Sequence, residues 1–384
     1  MGKVALVAAG CTPVGEFWDK SFRDLAVEAA LKVLNLAKAS KVDFIAVGSA
    51  FSQLIQGQGN FAPMVADSLA MKGVEAVGVE ASDASGALAL YEACRAVASG
   101  EASLALALAV DKLSDVVGSE LAKALMSGIE QEYIAYTGVT LRGLAAILHS
   151  LYRERFNVTH EEVAAMAVNS HMHAVGNPYA QYRSKITVEQ VLRSPIVAEP
   201  LRLLEASSPA DGAAAVLVCP WEEAEQYTDK PVEVAAAASA VGDFILTEAE
   251  DLLSFKAVRL AAEKAYRRAG ITPRDLNLVE VYDVADVVGL ICLEDLGLAG
   301  RGEAAKLAFE GQLSINGRLP TNTMGGVKAR GNPGGATSLY QVVEVFWQLR
   351  GEAGENQVPN AEIGVAQSLG GLYSFATVTV LRRA

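Results

Sequence analysis

The chain is short of cysteine, histidine and positive charge, and each shortage removes a class of function. Four cysteines, Cys11, Cys94, Cys219 and Cys292, are scattered over 384 residues. None forms a CxxC pair or a zinc-ligand spacing, so they read as reduced core thiols of a cytoplasmic protein. The four histidines offer no metal motif. His171 and His173 stand two apart on an expected helix and face different directions, while His149 and His160 read as isolated. No metal site is expected, and each histidine is read as solvated or locally bonded. Lysine and arginine total 32 against 45 acidic residues, giving a formal net charge of -13 and a pI near 4.9. Neither nucleic acid nor an anionic membrane surface rewards that balance. Long apolar runs are missing as well. Leu104 to Val110 falls far short of the roughly 20 residues that span a bilayer. The apolar part of Met1 to Cys11 is shorter than the roughly 7 to 15 residues of a signal core, so it reads as a first strand of a soluble protein.

What is present is an apolar chain, 51% hydrophobic, long enough for two or three packed units. It repeats itself. Phe22 to Leu36 has helical apolar spacing and is followed by the strand-like run Phe44 to Gly48; Phe255 to Ala269, ended by Gly270, is followed by Leu278 to Tyr282. A second pair supports the duplication. The turn at Asp83 leads to a helix over Ala87 to Ala98 and a strand over Leu104 to Val110. The turn Gly331 to Gly335 leads to a helix over Ala336 to Leu349 and a strand over Glu362 to Gln367. Alternating helices and short apolar strands predict an α/β layered fold with helices on both faces of a sheet. Residues 114–207 break the pattern with a more helical, polar composition and read as an insertion over the first half. Ser208 to Ala213 turns back into a strand over Ala214 to Cys219. The expected organisation is a first half over 1–219, a connecting segment over 220–231 and a second half over 232–384.

Several segments, in order, resemble the thiolase superfamily, specifically its sterol-carrier-protein-like and archaeal acetyl-CoA acetyltransferase branch. They are Val4 to Gly15, Asn169 to Ala174 with Asn177 to Gln181, Ser208 to Ala213, Val279 to Asp283, and Asn322 to Thr337. The resemblance implies a duplicated five-layer αβαβα fold with a helical loop domain inserted in the first half. It also implies a homodimer or higher oligomer and a role in lipid metabolism. Coenzyme A thioesters would be substrates, with no permanently bound cofactor. A small zinc-ribbon and OB-fold acyl-CoA-binding subunit accompanies relatives in this branch. The family's usual reaction joins or splits a β-ketoacyl-CoA through an acylated cysteine.

Carried over residue by residue, the resemblance also exposes departures. The cysteine nucleophile falls on Asp83, the His-Asp-Cys-Phe type motif on Tyr282-Asp283-Val284-Ala285, and the Gly-His-Pro motif on Gly331-Asn332-Pro333. The glycine loop Ser368-Leu369-Gly370-Gly371 is kept. On this reading Asp83, Tyr282, Asn332 and Gly371 are the catalytic candidates, and Gly331, Gly334 and Gly370 shape the backbone against the coenzyme. The stretch Gly325 to Gly335 lacks both the Gly-Lys-Ser/Thr ending of a P-loop and the GxGxxG spacing of a dinucleotide site.

The remaining groups permit a narrower chemistry. Thiolysis needs a good thiolate nucleophile. A carboxylate attacking a thioester would give an anhydride more reactive than the starting acyl group, so the cysteine-dependent reaction is expected to be lost. Asp83 then either caps the following helix through a backbone N–H or acts as a base. Ser82 and Ser85 lack a histidine in a recognisable motif to activate them. Tyr282 and Asn332 can each donate a hydrogen bond to a developing oxyanion, or simply fill space and cap a helix. An enolate held beside a thioester without an acyl-enzyme suggests aldol or retro-aldol chemistry on a β-hydroxyacyl-CoA, with Tyr282 or Asp83 accepting the β-hydroxyl proton and Asn332 with the Gly370 and Gly371 amides holding the thioester oxygen. Two alternatives stay open: a non-catalytic acyl-CoA-binding or scaffolding subunit, and thiolase activity retained through an unmatched residue.

Overall fold

A computed structural model describes residues 2–371 and 373–384, so Met1, part of the amino-terminal segment discussed above, lies outside it. Among the described residues nine strands form one continuous sheet: β1 (Val4–Cys11), β2 (Phe44–Gly48), β3 (Glu75–Val79), β4 (Ala105–Lys112), β5 (Asp211–Pro220), β6 (Val232–Val241), β7 (Leu278–Glu280), β8 (Ile363–Gly370) and β9 (Phe375–Arg383). Their spatial order is β3-β2-β4-β5-β1-β6-β9-β8-β7. The two sides carry the same pattern. β1 and β5, like β6 and β9, are antiparallel; so are β5 and β4, and β9 and β8; β4 with β2, and β8 with β7, are parallel. A ladder of two residue pairs, Ala5 with Glu233 and Leu6 with Val232, joins the halves.

The helices explain why the central strands are apolar throughout. Helix α1 (Phe22–Leu36) covers the outer face of the first half, and α5 (Lys256–Ala269) covers that of the second. Between the halves lie α2 (Ser85–Ser99) and α7 (Thr337–Arg350), packed on each other and on strands of both sides. A strand buried on both faces reads as an unbroken apolar run, and every residue of β1 is buried. Leu6, Ala9 and Cys11 face the middle layer, whereas Ala5, Val7 and Ala8 face α1. Two neighbours, Val7 and Ala8, share a face because a register shift falls between Leu6 and Ala8. The result is the mixed α/β layered thiolase fold.

The inserted region contributes α3 (Leu141–Phe156) and α4 (His160–Gly176), each opened by a threonine whose side chain accepts a backbone N–H. Although inserted within the first half, this pair packs on second-half helices, including α6 (Asp286–Asp295) and the short helix Ala304–Phe309. Among the described residues no helix is long and apolar enough to cross a membrane. All four cysteines are free and buried.

Candidate functional site

The site begins where β3 ends. Ser82 is held at φ 50°, in the left-handed region that costs a non-glycine residue energy. This turns Asp83 inward ahead of α2, and only 7% of the residue remains exposed. Asp83 does not cap the helix, which corrects one of the two readings of its sequence. The capping position falls on Ala84, with no side-chain cap. The Ser338 hydroxyl instead accepts the Ala87 N–H at 2.9 Å, and Ser85 ties the preceding turn by accepting from Ala81 and donating to the Ser82 carbonyl.

The Asp83 carboxylate is therefore free for other partners. Asn332 Nδ2 donates to Asp83 Oδ1 at 3.0 Å, and the Ser82 hydroxyl donates to Oδ2 at 3.3 Å. The orientation of Asn332 is itself fixed, because the Thr337 hydroxyl donates to its Oδ1 at 2.7 Å. Behind Thr337 stands the fully buried Arg330, whose Nη2 lies 3.4 Å from the threonine oxygen. The chain from Arg330 through Thr337 and Asn332 to Asp83 polarises in one direction, each donor strengthened by the one behind it. Helix capping is likewise not the role of the Asn332 side chain.

Tyr282 completes the wall. Its backbone N–H donates to Gln367 Oε1 at 3.1 Å, and its side chain lines the same cavity as Asp83. The next residue, Asp283, anchors this segment: Ser170 donates to one oxygen at 2.9 Å and the Val327 amide to the other at 2.6 Å. Burial pushes the Asp283 carboxyl up to about 6, those hydrogen bonds opposing it. Burial likewise raises Asp83 above the ordinary carboxylate range, against hydrogen bonds from Asn332, Ser82 and Tyr282 that lower it. A carboxylate raised in this way is a better base than a solvated one. Burial, then the Asp83 charge, pushes the Tyr282 phenol well above its usual value, so it stays a donor.

Ser82, Asp83 and Tyr282 border a cavity of about 30 Å³, lined also by Gly370, Gly371 and Tyr373; Asn332 is linked to it through Asp83. That volume suits roughly one water molecule. Its ceiling comes from the inserted region: Leu125, Gly128, Ile129 and Leu141. Gly371, at φ 45°, packs so closely that a side chain there would meet the Gly128 carbonyl, and one at Gly370 would meet the Ala81 carbonyl. Gly331 and Gly334 are not brought to the cavity. Gly331 is packed against Gln181 and Val14, and Gly334 against Asp111 and Phe51, so their small size serves internal packing.

Two features escaped the sequence reading. Tyr373 lines the cavity with φ 67° and stacks on Phe255, ring centres 4.6 Å apart. A bulky residue at positive φ just beyond a glycine pair is visible only from the backbone. His149 and His160 are not isolated either: their ring centres lie 4.7 Å apart, and both reach Glu205. The structure joins residues that the sequence separates by 56 and 45 positions. His171 is bonded to the nearby Ser184 carbonyl, but His173 is bonded to the Asn322 carbonyl 149 positions away, and both are buried rather than solvated.

A duplicated layered fold, with its site where two pseudo-equivalent helices begin, defines the class. Residues 4–222 match the thiolase N-terminal domain and residues 238–383 the thiolase C-terminal domain-like family. The chain belongs to the thiolase family and is related to acyl-CoA chemistry. It is 40% identical over 385 residues to an acetyl-CoA acetyltransferase of Methanothermobacter thermautotrophicus, covering 100% of both chains. Sterol carrier protein 2 of Homo sapiens is 30% identical over 389 residues, spanning 96% of this chain and 70% of that protein. Among solved structures, the Ltp2-ChsH2(DUF35) aldolase has the same fold, with a TM-score of 0.86 at 24% identity over 100% of this chain and 98% of the other.

Proposed function

We propose that the chain performs aldol or retro-aldol chemistry on a coenzyme A thioester, with Asp83 as the base and no acyl-enzyme. The observation that carries this reading is the Asp83 carboxylate itself: buried, raised in basicity, and aligned by Asn332 in a cavity that no thiol lines. The cysteines are poor substitutes. Burial pushes Cys94 and Cys219 up to about 12, and Cys11 and Cys292 above their ordinary range as well.

In the cleavage direction, Asp83 takes the β-hydroxyl proton of a β-hydroxyacyl thioester. The Cα–Cβ electron pair moves into the thioester carbonyl, releasing an aldehyde or ketone and leaving an enolate. Tyr282 and the Gly371 backbone line the cavity in which that oxyanion would develop, so hydrogen bonding there replaces what a histidine pair would supply, while Asn332 acts through Asp83. Asp83 then returns its proton to Cα, giving the shortened acyl thioester. Because the cavity holds about one water, the acyl group enters only when the ceiling from Leu125 to Leu141 withdraws. Gly331, Gly334 and Gly370 act for the coenzyme indirectly, by keeping the loops that border its path closely packed.

The chain is also proposed to assemble as a homodimer and to work beside a small acyl-CoA-binding subunit. Support for the second partner is the aldolase of the same fold, which is paired with ChsH2(DUF35). Incubation with β-hydroxyacyl-CoA thioesters, and separately with acetoacetyl-CoA plus CoA, followed by product analysis and intact mass, tests the reaction. The expected result is a carbonyl product and a shortened acyl-CoA without any protein adduct. Thiolysis with an acylated protein would overturn the proposal, and binding without cleavage would favour a non-catalytic acyl-CoA-binding subunit.

A further inference from the structure

The inserted region holds a cluster that the proposed reaction does not use. His149 lies in α3, His160 opens α4, and Glu205 ends the turn Leu203–Glu205. His149 Nε2 is 3.2 Å from Glu205 Oε1, and His160 Nε2 is 2.9 Å and 3.0 Å from the two Glu205 oxygens. One ligand atom from each residue lies within 4.8 Å of the other two. The ring planes differ by 71°, so the imidazoles approach the carboxylate from different directions. His149 and Glu205 are enclosed, whereas the His160 side chain is 15% exposed and gives access from outside.

The geometry suits a cation. Zinc bound at about 2.0–2.2 Å by nitrogen and oxygen ligands separates neighbouring tetrahedral ligand atoms by about 3.3 Å. The two histidine–Glu205 separations need to open by only a few tenths of an ångström. The surroundings are also rich in buried negative charge. Asp286, fully buried, has no well-formed hydrogen bond to either carboxylate oxygen, and the nearby Glu205 charge adds to the burial that raises it. Lys328 is the cation that offsets Asp286. A divalent ion on Glu205 would add positive charge toward Asp286 only through Glu205 itself, so the donor geometry is what carries the site.

We propose that His149, His160 and Glu205 form a binding site for a first-row divalent cation, zinc by its donor set, with a fourth position open beside His160. Two imidazoles and one carboxylate favour zinc over the oxygen-seeking calcium and magnesium. The site is a structural clamp. Ala206 bridges Ala285, and the Ser207 amide donates to the Val284 carbonyl at 2.9 Å. The ion thus pins the α3–α4 pair to the segment that carries Tyr282.

The full chain, produced without a histidine tag in zinc-supplemented medium and purified without chelator, should contain about one zinc per chain by elemental mass spectrometry. Removing the metal with a chelator should lower the melting temperature, and zinc should restore it. Cobalt added to the apoprotein should give the visible bands of a tetrahedral nitrogen and oxygen site. His160→Gln keeps the helix start and is partly exposed, so it should fold with an unchanged circular dichroism spectrum. It should weaken zinc binding by more than the roughly 100-fold typical of losing an outer-shell partner. Less than a tenth of an equivalent bound after zinc reconstitution overturns the site, as does a folded His160→Gln that holds zinc as tightly as the unaltered chain.

Discussion

At the residue scale, the Asp83 carboxylate accepts from Asn332 and Ser82 and has the Tyr282 side chain beside it in the cavity, so each neighbour can be tested separately. Asp83→Asn removes the base while keeping a polar side chain of the same shape. Turnover of a β-hydroxyacyl-CoA should fall by about 10² to 10⁴-fold, the usual contribution of a general base, with thioester binding retained by calorimetry. Asp83→Cys should not restore thiolysis, because no histidine stands at 282 or 332 to activate the thiol. The pH profile follows from the sign of the shift. The active form is the carboxylate and its pKa is raised by burial, so kcat/KM should fall on the acid side at a pH above the ordinary carboxylate range. Asn332→Ala and Tyr282→Phe each remove a hydrogen bond that lowers this pKa. Both should move the acid limb to higher pH, and a limb that stays put or moves down would exclude Asp83 as the titrating base.

At the element scale, the chain signals its helices and strands but not the closure of the cavity. The apolar stretches Phe22 to Leu36 and Phe44 to Gly48 are α1 and β2 to the residue, because alanine and leucine at helical spacing and an unbroken apolar run leave little choice. The turn at Asp83 was equally legible, since small residues precede a buried helix. Its partners were not. Asn332 lies 249 positions away, Gly128 and Tyr373 arrive from other elements, and local spacing says nothing about contacts of that kind. The Glu205 cluster was hidden for the same reason. One further long-range tie supports a prediction of its own. Asp111, at the end of β4, accepts from Ser49 at 2.7 Å and from the Ala50, Phe51 and Gly335 amides at 2.9, 3.0 and 2.7 Å. It thereby joins the strand ends of the first half to the turn before α7. Asp111→Ala leaves three amides without acceptors, those of Phe51 and Gly335 buried and that of Ala50 partly buried. It should cost about 3–5 kcal/mol in urea unfolding, since each orphaned donor costs about 1–3 kcal/mol with partial rehydration.

At the scale of the whole molecule, the sheet is finished on one side only by solvent. Among the described residues β3 sits at the end of the strand order, pairs with β2 alone, and carries the burial pattern of an exposed strand, with Val77 on the surface. An apolar edge with open N–H and C=O groups invites a second strand, and two copies of this chain related by a two-fold axis can supply it to each other. The same strand ends at Val79, four residues before Asp83, so pairing at this edge would also steady the turn that carries the base. Val77→Lys places two like charges across such an axis without disturbing the β2 side. Light scattering after size exclusion should then give a dimer for the unaltered chain and a monomer for the variant. Activity per chain should rise with protein concentration in the variant as pairing recovers. A variant that stays dimeric would place the interface elsewhere, and a monomer with full activity at every concentration would separate assembly from the Asp83 turn.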